Sequence, residues 1–274
     1  MLRTFFSFLL IGLSIGSPLS SKIIEAHDLD TLHEHFKSLD SQSLLLWDVD
    51  ATLIIPSDAI LKPCNDDFLD FLIGTYFSNK SKDEAKLLFS QIYHRSAFCL
   101  VDLRSVELIA SLKSRSIPMI AFTAMRTGSY GKITSMEEWR VNHLRALDID
   151  FSSTFPQHDK LEWAEMFPYM GYPAFKEGVL CSDRMPKGVV LASFLEKISY
   201  QPNQIIFIDD NLDFLESVDE EMEEMKIPFI GIHYRAVELL EPFLDEELAH
   251  HQFRVLTTEG IWLPDHEARA ALQR

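Results

Sequence analysis

Short, wholly apolar runs alternate along the chain with longer segments in which apolar residues recur at helical spacing. A short apolar run bounded by polar residues indicates a strand that is buried on both faces, as in a parallel sheet covered by helices. The predicted strands lie at residues 44–48, 117–123, 179–181, 205–208 and 229–232, and the predicted helices at 22–41, 66–77, 82–94, 105–115, 134–147, 188–198, 216–224 and 236–251. The pattern therefore predicts an α/β fold with a doubly wound, mainly parallel sheet.

Two of the predicted helices stand apart because they interrupt the sheet between its first and second strands. The segments Asp66–Phe77 and Lys82–His94 are joined by a polar turn at 78–81. We predict that they form a small helical cap insertion at about residues 60–100. The pair would either cover a site as a lid or pack as an ordinary helical pair, and the sequence supports both interpretations.

The length and the charge of the chain narrow its functional class. We predict that residues 21–274 form a single domain, because a chain of 274 residues can build one large core. The formal net charge of −17 disfavours nucleic-acid binding through a basic face and docking on an anionic membrane. A small phosphorylated substrate is still compatible, since a bound cation can reverse the electric field at one site.

The first 20 residues differ from the rest of the chain. Arg3 is followed by an almost entirely apolar stretch at 4–16, and small residues follow at 16–21. This order is typical of a secretory signal peptide, and it predicts removal of residues 1–20 and export to the periplasm or exterior of a bacterium. An uncleaved anchor and an N-terminal core helix are the alternatives. Because no second apolar run is long enough to span a bilayer, we expect no stable membrane association after cleavage.

The three cysteines are Cys64, Cys99 and Cys181. No Cys-x-x-Cys pair occurs, which disfavours a structural zinc site. Export would permit a disulfide between Cys64 and Cys99, which flank the predicted helical pair. Free buried thiols are the other interpretation, and Cys181 lies in an apolar strand where we expect core packing.

Carboxylates follow two of the apolar runs. Asp48 and Asp50 end the first strand, with Thr52 after them, and Asp209 and Asp210 end the fourth. Because ligands bind outside the carboxyl ends of parallel strands, we expect these side chains to line a site. Paired carboxylates can hold Mg²⁺, and one can attack an electrophile while the other transfers a proton. Taken alone, the first pair is also explained as an Asp-rich turn after a strand.

Three further side chains are placed to bind a phosphate. Thr123 ends the second strand, and Arg126 follows three residues later. A threonine hydroxyl and an arginine guanidinium both donate hydrogen bonds to phosphate oxygens. Lys187 follows Pro186 at the start of a predicted helix, beside amide groups that favour anions; a solvated surface lysine is the alternative.

Aromatic residues are dense between residues 151 and 175. Such residues usually pack in a core. Because the stretch is loop-like and lies between two strands with candidate site residues, a substrate-binding wall is the alternative.

The order of these motifs resembles the haloacid dehalogenase (HAD) superfamily of phosphohydrolases over about residues 44–232. Response-regulator receivers also use Asp, Thr and Lys on a doubly wound sheet, but their paired acids come first in the chain, whereas here the second acidic pair comes last. The resemblance implies a HAD-like Rossmannoid domain with a helical cap. It also implies a Mg²⁺-dependent phosphomonoesterase that acts on a small phosphorylated substrate.

The resemblance implies a role for each motif residue. Asp48 corresponds to the nucleophile that becomes an aspartyl-phosphate, and Asp50 to the acid/base that protonates the leaving group and then activates water. Thr123 and Lys187 correspond to the residues that hold the phosphoryl group. The implied Mg²⁺ ligands are Asp48, the backbone carbonyl of Asp50, Asp209 and Asp210.

Two stretches of the sequence indicate which subgroup of the HAD superfamily the chain resembles. The stretch Thr123–Arg126, followed by Arg140 in a helix, is similar to secreted bacterial acid phosphatases of this superfamily, and so is 210–214, which is one residue shorter before its last Asp. The chain is also similar to HAD-like families of unknown function with signal peptides. Retention of Asp50 implies phosphate esters rather than dehalogenation or phosphonate cleavage. The alternatives are a phosphotransferase of the same chemistry and a secreted, non-catalytic binding protein on this scaffold.

Overall fold

Residues 22–163, 172–240 and 243–273 are described by a computed structural model of the chain. The strands are Lys22–Ala26 (β1), Leu44–Trp47 (β2), Ile54–Pro56 (β3), Phe98–Leu100 (β4), Met119–Thr123 (β5), Lys160–Glu162 (β6), Ala174–Lys176 (β7), Val179–Cys181 (β8), Ile205–Asp209 (β9) and Phe229–Tyr234 (β10). The helices are His33–Phe36 (α1), Asp66–Phe77 (α2), Lys82–Arg95 (α3), Ser105–Ser114 (α4), Met136–Arg145 (α5), Lys187–Lys197 (α6), Leu212–Met225 (α7), Glu246–Glu259 (α8) and Asp265–Leu272 (α9).

Eight of these strands form one sheet in the order β1-β10-β9-β2-β5-β8-β7-β6. The first six strands in this order run parallel to one another. The last two, β7 and β6, add an antiparallel edge. Strand β2 lies between β9 and β5, so the first strand of the predicted pattern is central. The predicted α/β fold with a mainly parallel sheet is confirmed.

The central strand is buried on both faces, as its apolar run predicts. Leu45 and Trp47 pack into the apolar cluster that includes α4 and α5, whereas Leu44 and Leu46 pack into the cluster that includes α6 and α7. Successive side chains of a strand point to opposite faces, so an uninterrupted apolar run is stable only where helices cover both. The two clusters are the two layers of a doubly wound fold.

Two predicted helices are corrected. The expected helix at 22–41 begins instead as β1, which pairs in parallel with β10, and only the short helix His33–Phe36 remains beyond it. Hydrogen bonds to a neighbouring strand outweigh helical spacing there. The expected helix at 236–251 is a single 3-10 turn at Ala236–Leu239, and α8 begins later. A proline at 242 opposes a continuous helix, and the Asp245 side chain caps α8 by accepting from the Leu248 N–H at 3.1 Å.

The predicted helical pair is confirmed as α2 and α3. It is framed by β3 and β4, which pair as a small antiparallel sheet that the sequence did not predict. The outer side of the pair packs on the C-terminal helices in a separate apolar cluster, at whose centre Phe253 and Trp262 are fully buried. This C-terminal segment therefore covers the insertion.

The remaining predictions have mixed outcomes. Cys64 and Cys99 are free thiols, and Cys181 is a buried free thiol. Of the described aromatic residues, Phe151, Trp163 and Phe175 are in the core and Phe155 packs against it, as the first of the two interpretations has it, whereas Tyr172 is half-buried and outside these clusters; those at 167 and 169 lie outside the described residues. The predicted signal peptide at 1–20 also lies outside them. Within the described part of the chain, no helix is both long and apolar enough to cross a membrane.

Candidate active site

The predicted site residues converge at the carboxyl ends of three adjacent strands. The Asp48 N–H donates to the Ile208 carbonyl at 2.8 Å, which extends the pairing of β2 with β9 to the first aspartate. Thr123 ends β5 on the other side of β2, and Asp209 ends β9. Parallel strands share one carboxyl edge, so neighbouring strands bring residues that are far apart in sequence to one place.

Lys187 joins the two acidic strand ends. Its Nζ donates to Asp48 Oδ1 at 2.6 Å, to Asp209 Oδ2 at 2.7 Å and to the Phe122 carbonyl at 3.0 Å. The side chain is completely buried, and it enters from the first position of α6. An ammonium group has three N–H donors, and all three are used here.

A third carboxylate completes an acidic cluster. One carboxylate oxygen from each of Asp48, Asp209 and Asp210 lies within 4.8 Å of the others. Asp209 is held through both oxygens, because the Asn211 N–H donates to its Oδ1 at 2.8 Å. The bond that Asp210 receives from the Thr52 hydroxyl is longer, at 3.4 Å. Asp48 and Asp210 are therefore the carboxylates with the most freedom to bind a further group.

Burial and mutual repulsion make this cluster unfavourable as three bare anions. Burial raises the pKa of Asp48 to about 8, that of Asp209 to about 6 and that of Asp210 to about 7. Burial opposes the charge on Lys187, but Asp48 and Asp209 outweigh it and raise the pKa of that ammonium. One lysine cannot neutralise three carboxylates. The donor set fits a hard divalent cation such as Mg²⁺, which prefers carboxylate oxygens.

Asp50 lies beside the cluster but is set apart from it. Ala51 has φ +62, and this left-handed turn follows the strand end at once. The side chain of Asp50 is 52% exposed and accepts two bonds from Arg140 Nη2, at 2.7 and 2.9 Å. The Thr123 hydroxyl lies 3.3 Å from Asp50 Oδ2. Asp50 is thus open to a ligand and fixed in orientation.

Arg140 is a site residue for which the sequence predicts no role. Its side chain is buried on α5 and stacks on the rings of Phe98 and Trp139. The sequence does contain a sign of this role, since Arg140 shares its helix with the buried residues Val141 and Leu144. An arginine is rarely buried without a carboxylate partner.

Arg126 lies at the site, but in the described part of the chain it forms no salt bridge with Asp48. Its guanidinium stacks on the Tyr130 ring at 4.1 Å from the ring centre. A second arginine, Arg184, was not predicted; it has φ +65, and its N–H donates to the Ala124 carbonyl. Both arginines line the same cleft as the acidic cluster.

This cleft has a volume of about 530 Å³ and extends from the strand ends to the helical insertion. Its polar end contains Asp48, Asp50, Asp210, Thr123, Arg126 and Arg140. Its other end is formed by side chains of the insertion and of α5. The predicted site residues, apart from the buried Lys187 and Asp209, therefore face one cavity.

Comparison with known proteins identifies relatives over most of the chain. The family model described as "Protein of unknown function (DUF2608)" matches residues 25–269. An uncharacterized protein of Rickettsia felis is 24% identical over 244 residues, covering 85% of this chain and 82% of that protein. An uncharacterized protein of Rickettsia typhi is 27% identical over 254 residues, covering 84% and 83%. A putative outer membrane protein of Chlamydia muridarum is 33% identical over 89 residues, covering 31% and 34%.

Among solved structures, a haloacid dehalogenase-like family hydrolase of Streptococcus pneumoniae aligns with 73% of this chain and 97% of its own, at 13% identity and a TM-score of 0.37.

Proposed function

The chain belongs to the family described as "Protein of unknown function (DUF2608)", and we propose that it is a Mg²⁺-dependent phosphomonoesterase of the HAD type that acts through an aspartyl-phosphate on Asp48. The observation that carries this proposal is the buried Lys187, whose Nζ contacts both Asp48 and Asp209 beside Asp210. Together with the order of the motifs, this arrangement supplies a nucleophile, a cation site and a compensating charge.

In the first step, a carboxylate oxygen of Asp48 attacks the phosphorus of the ester. The new bond joins Asp48 to phosphorus while the bond from phosphorus to the ester oxygen breaks. Asp50 gives its proton to the departing alcohol oxygen, which its exposed position allows. In the second step, Asp50 takes a proton from a water molecule that attacks the same phosphorus. Inorganic phosphate leaves and Asp48 is regenerated.

The other residues orient the nucleophile, bind the phosphoryl group or offset the negative charge of the site. Asp48 and Asp210, with Asp209 behind them, would hold Mg²⁺, which when bound offsets the negative charge of the phosphoryl group and the acids. Lys187 fixes the orientation of Asp48 through the 2.6 Å bond. The Thr123 hydroxyl and Arg126 are available to phosphoryl oxygens at the same end of the cleft.

The test is phosphate release from p-nitrophenyl phosphate with Mg²⁺, with EDTA, and by the Asp48→Asn variant. We expect metal-dependent turnover that falls at least about a thousandfold in Asp48→Asn, because the amide is not a nucleophile. Asp213→Asn is the matched control, since Asp213 is exposed in the first turn of α7 outside the acidic cluster. Equal turnover of Asp48→Asn and wild type would contradict the mechanism.

Two alternatives predict different results. A phosphotransferase would form an alkyl phosphate when an alcohol is added, at the expense of free phosphate. A non-catalytic binding protein would release no phosphate from any ester and would not require the acids to be arranged around a cation site. The retained set of acids favours an enzyme.

We also propose export of the protein, on the sequence of residues 1–20. N-terminal sequencing of the mature chain from a bacterial host is the test. A new N-terminus near residue 21 supports export, and a chain that retains Met1 opposes cleavage.

A further inference from the structure

We propose that the substrate is a phosphate monoester of an apolar alcohol, whose hydrocarbon part binds against the helical insertion. This inference rests on the proposed function and names its substrate class. It is carried by the shape and lining of the cleft, because the cavity that contains Asp48 continues without interruption to the side chains of α2 and α3.

The wall opposite the acids is mainly apolar. Its apolar side chains are Leu61, Leu69, Ile73, Phe89, Ile92 and Trp139, and Tyr93 and Ser96 line the same part of the cleft. A volume of about 530 Å³ is far larger than a phosphate group requires and lies in the range of sites for drug-sized molecules. The leaving group therefore has a sizeable space, and that space offers mainly hydrocarbon and aromatic contacts.

The carboxylates within the cleft are confined to one end. Among the described residues, the carboxylates that line it are those at the strand ends, Asp48, Asp50 and Asp210. Arg126 and Arg184 line the cleft without a salt bridge in the described part of the chain, and the buried Nε and Nη1 of Arg140 have no hydrogen-bond partner there. These guanidinium groups favour an anion at the acidic end. A sugar placed against this wall would leave most of its hydroxyl groups without partners, at a cost in free energy, because the polar side chains described there are Tyr93 and Ser96.

The apolar wall is held from behind. Leu69 and Ile73 line the cleft and also pack on the cluster that includes Phe253 and Trp262. Trp262 is fully buried, and its Nε1 donates to Asp58 at 2.8 Å. The C-terminal helices thus support α2 from its outer side, so the wall is a packed surface that a ligand can use without reorganisation.

The experiment is a series of n-alkyl phosphates from ethyl to hexyl, with Mg²⁺ and the wild-type chain. The alcohols have nearly equal acidity, so differences in kcat/KM report contacts of the hydrocarbon. We expect kcat/KM to rise about fourfold for each added methylene that reaches the wall. Glycerol phosphate, similar in length to butyl phosphate, should be the poorer substrate. Equal values across the series would overturn the inference and leave the proposed function standing.

Binding separates the two proposals if no ester is turned over. Hexylphosphonate and ethylphosphonate are not hydrolysed, so calorimetry can measure their binding. We expect hexylphosphonate to bind more tightly, by about fourfold for each added methylene that reaches the wall. Tighter binding without turnover supports the apolar wall and counts against the catalytic proposal. Equal affinity of the two phosphonates overturns the apolar wall whether or not esters are hydrolysed.

A pair of leucine variants locates the contact. Leu69→Asn, in the wall, should reduce the ratio of kcat/KM for hexyl phosphate to kcat/KM for ethyl phosphate at least about fourfold. Leu87→Asn is the control, because Leu87 is 48% exposed on α3 and does not line the cleft. If both variants keep the wild-type chain-length dependence, the hydrocarbon does not bind where we propose.

Discussion

Arg140 Nη2 lies 2.7 Å from one carboxylate oxygen of Asp50 and 2.9 Å from the other. The two residues are 90 positions apart in the chain, and the buried arginine packs against the rings of both Phe98 and Trp139. A side chain fixed in this way has little rotational freedom. Arg140 is therefore a positioning residue that sets the direction in which Asp50 faces the cleft.

We expect Arg140→Gln to lower kcat by about 10- to 100-fold with little change in KM, because Asp50 would lose its fixed orientation without losing its carboxyl group. Added guanidinium should restore part of kcat by occupying the vacated space. Steady-state kinetics with and without guanidinium measure both effects.

Arg145→Gln is the control for that variant. Arg145 lies on the same helix but is partly exposed and pairs with Glu177, away from the acids. It should keep wild-type kcat. A loss in Arg140→Gln that is confined to thermal stability, with kcat unchanged, would remove Arg140 from the site.

The acidic cluster should couple cation binding to pH. Burial raises the pKa of Asp210 to about 7, above its ordinary value of 3.8, so the metal-free folded chain holds this proton more tightly than the unfolded chain does. Protonated Asp210 therefore contributes fully to the stability of the fold at pH values below its ordinary pKa. This contribution is lost as the pH rises through the raised pKa of the folded chain. Mg²⁺ competes with the same proton.

We thus expect Mg²⁺ to raise the Tm more at about pH 8 than at about pH 5, as measured by thermal unfolding with and without the cation. Asp210→Asn should abolish most of the Mg²⁺ effect at the higher pH. Asp213→Asn should keep it. An effect of Mg²⁺ that is independent of pH would show that these carboxylates are not its ligands.

Gly188 determines how closely α6, which carries Lys187, approaches α7. A Cβ at position 188 would lie 1.9 Å from the Ser217 carbonyl oxygen. We expect Gly188→Ala to lower the free energy of unfolding by about 1–3 kcal/mol, since backbone on both helices must move apart. Urea denaturation measures the loss.

Gly74→Ala is the matched substitution. Gly74 lies inside α2, and a Cβ there would meet nothing within 4 Å. It should raise the free energy of unfolding by up to about 1 kcal/mol, because alanine favours the helix over glycine. If the two variants change stability in the same direction, the close packing of α6 on α7 does not depend on a glycine at position 188.

Trp262→Phe tests the attachment of the C-terminal segment. The change removes the Nε1 donor from Asp58, a buried carboxylate that also accepts from the Asp265 N–H at 2.9 Å. We expect a loss of about 1–3 kcal/mol in the free energy of unfolding, because a buried carboxyl acceptor loses a partner. Trp163→Phe, which removes a 2.8 Å bond to the neutral Ser193 hydroxyl, should cost less in the same urea titration.

Local pattern and strand order were enough to place the acids. The apolar runs before Asp48 and Asp209 predict buried strands, and parallel strands end at one edge of the sheet. The structure brings these side chains together with Lys187, as the order of the motifs implies. Their catalytic roles stay predictions, and so do the division of the chain at residue 21 and export.

Other features were outside the reach of local pattern. The segment 22–26 has apolar positions compatible with a helix, yet its partner is β10, more than 200 residues away. The tail that contains Trp262 carries no recognisable motif, although it packs behind the insertion and hydrogen-bonds to Asp58. Contacts of this kind depend on surfaces that exist only after the sheet has formed.

The sequence by itself determined the α/β class, the helical pair and the edge of the sheet at which Asp48, Asp50, Asp209 and Asp210 lie, because burial periodicity and strand direction are local properties. Only the tertiary structure decided that Arg140 holds Asp50, and that α2 and α3 supply an apolar wall opposite the acids. Both relationships join distant segments through packing and hydrogen bonds, which no spacing along the chain encodes.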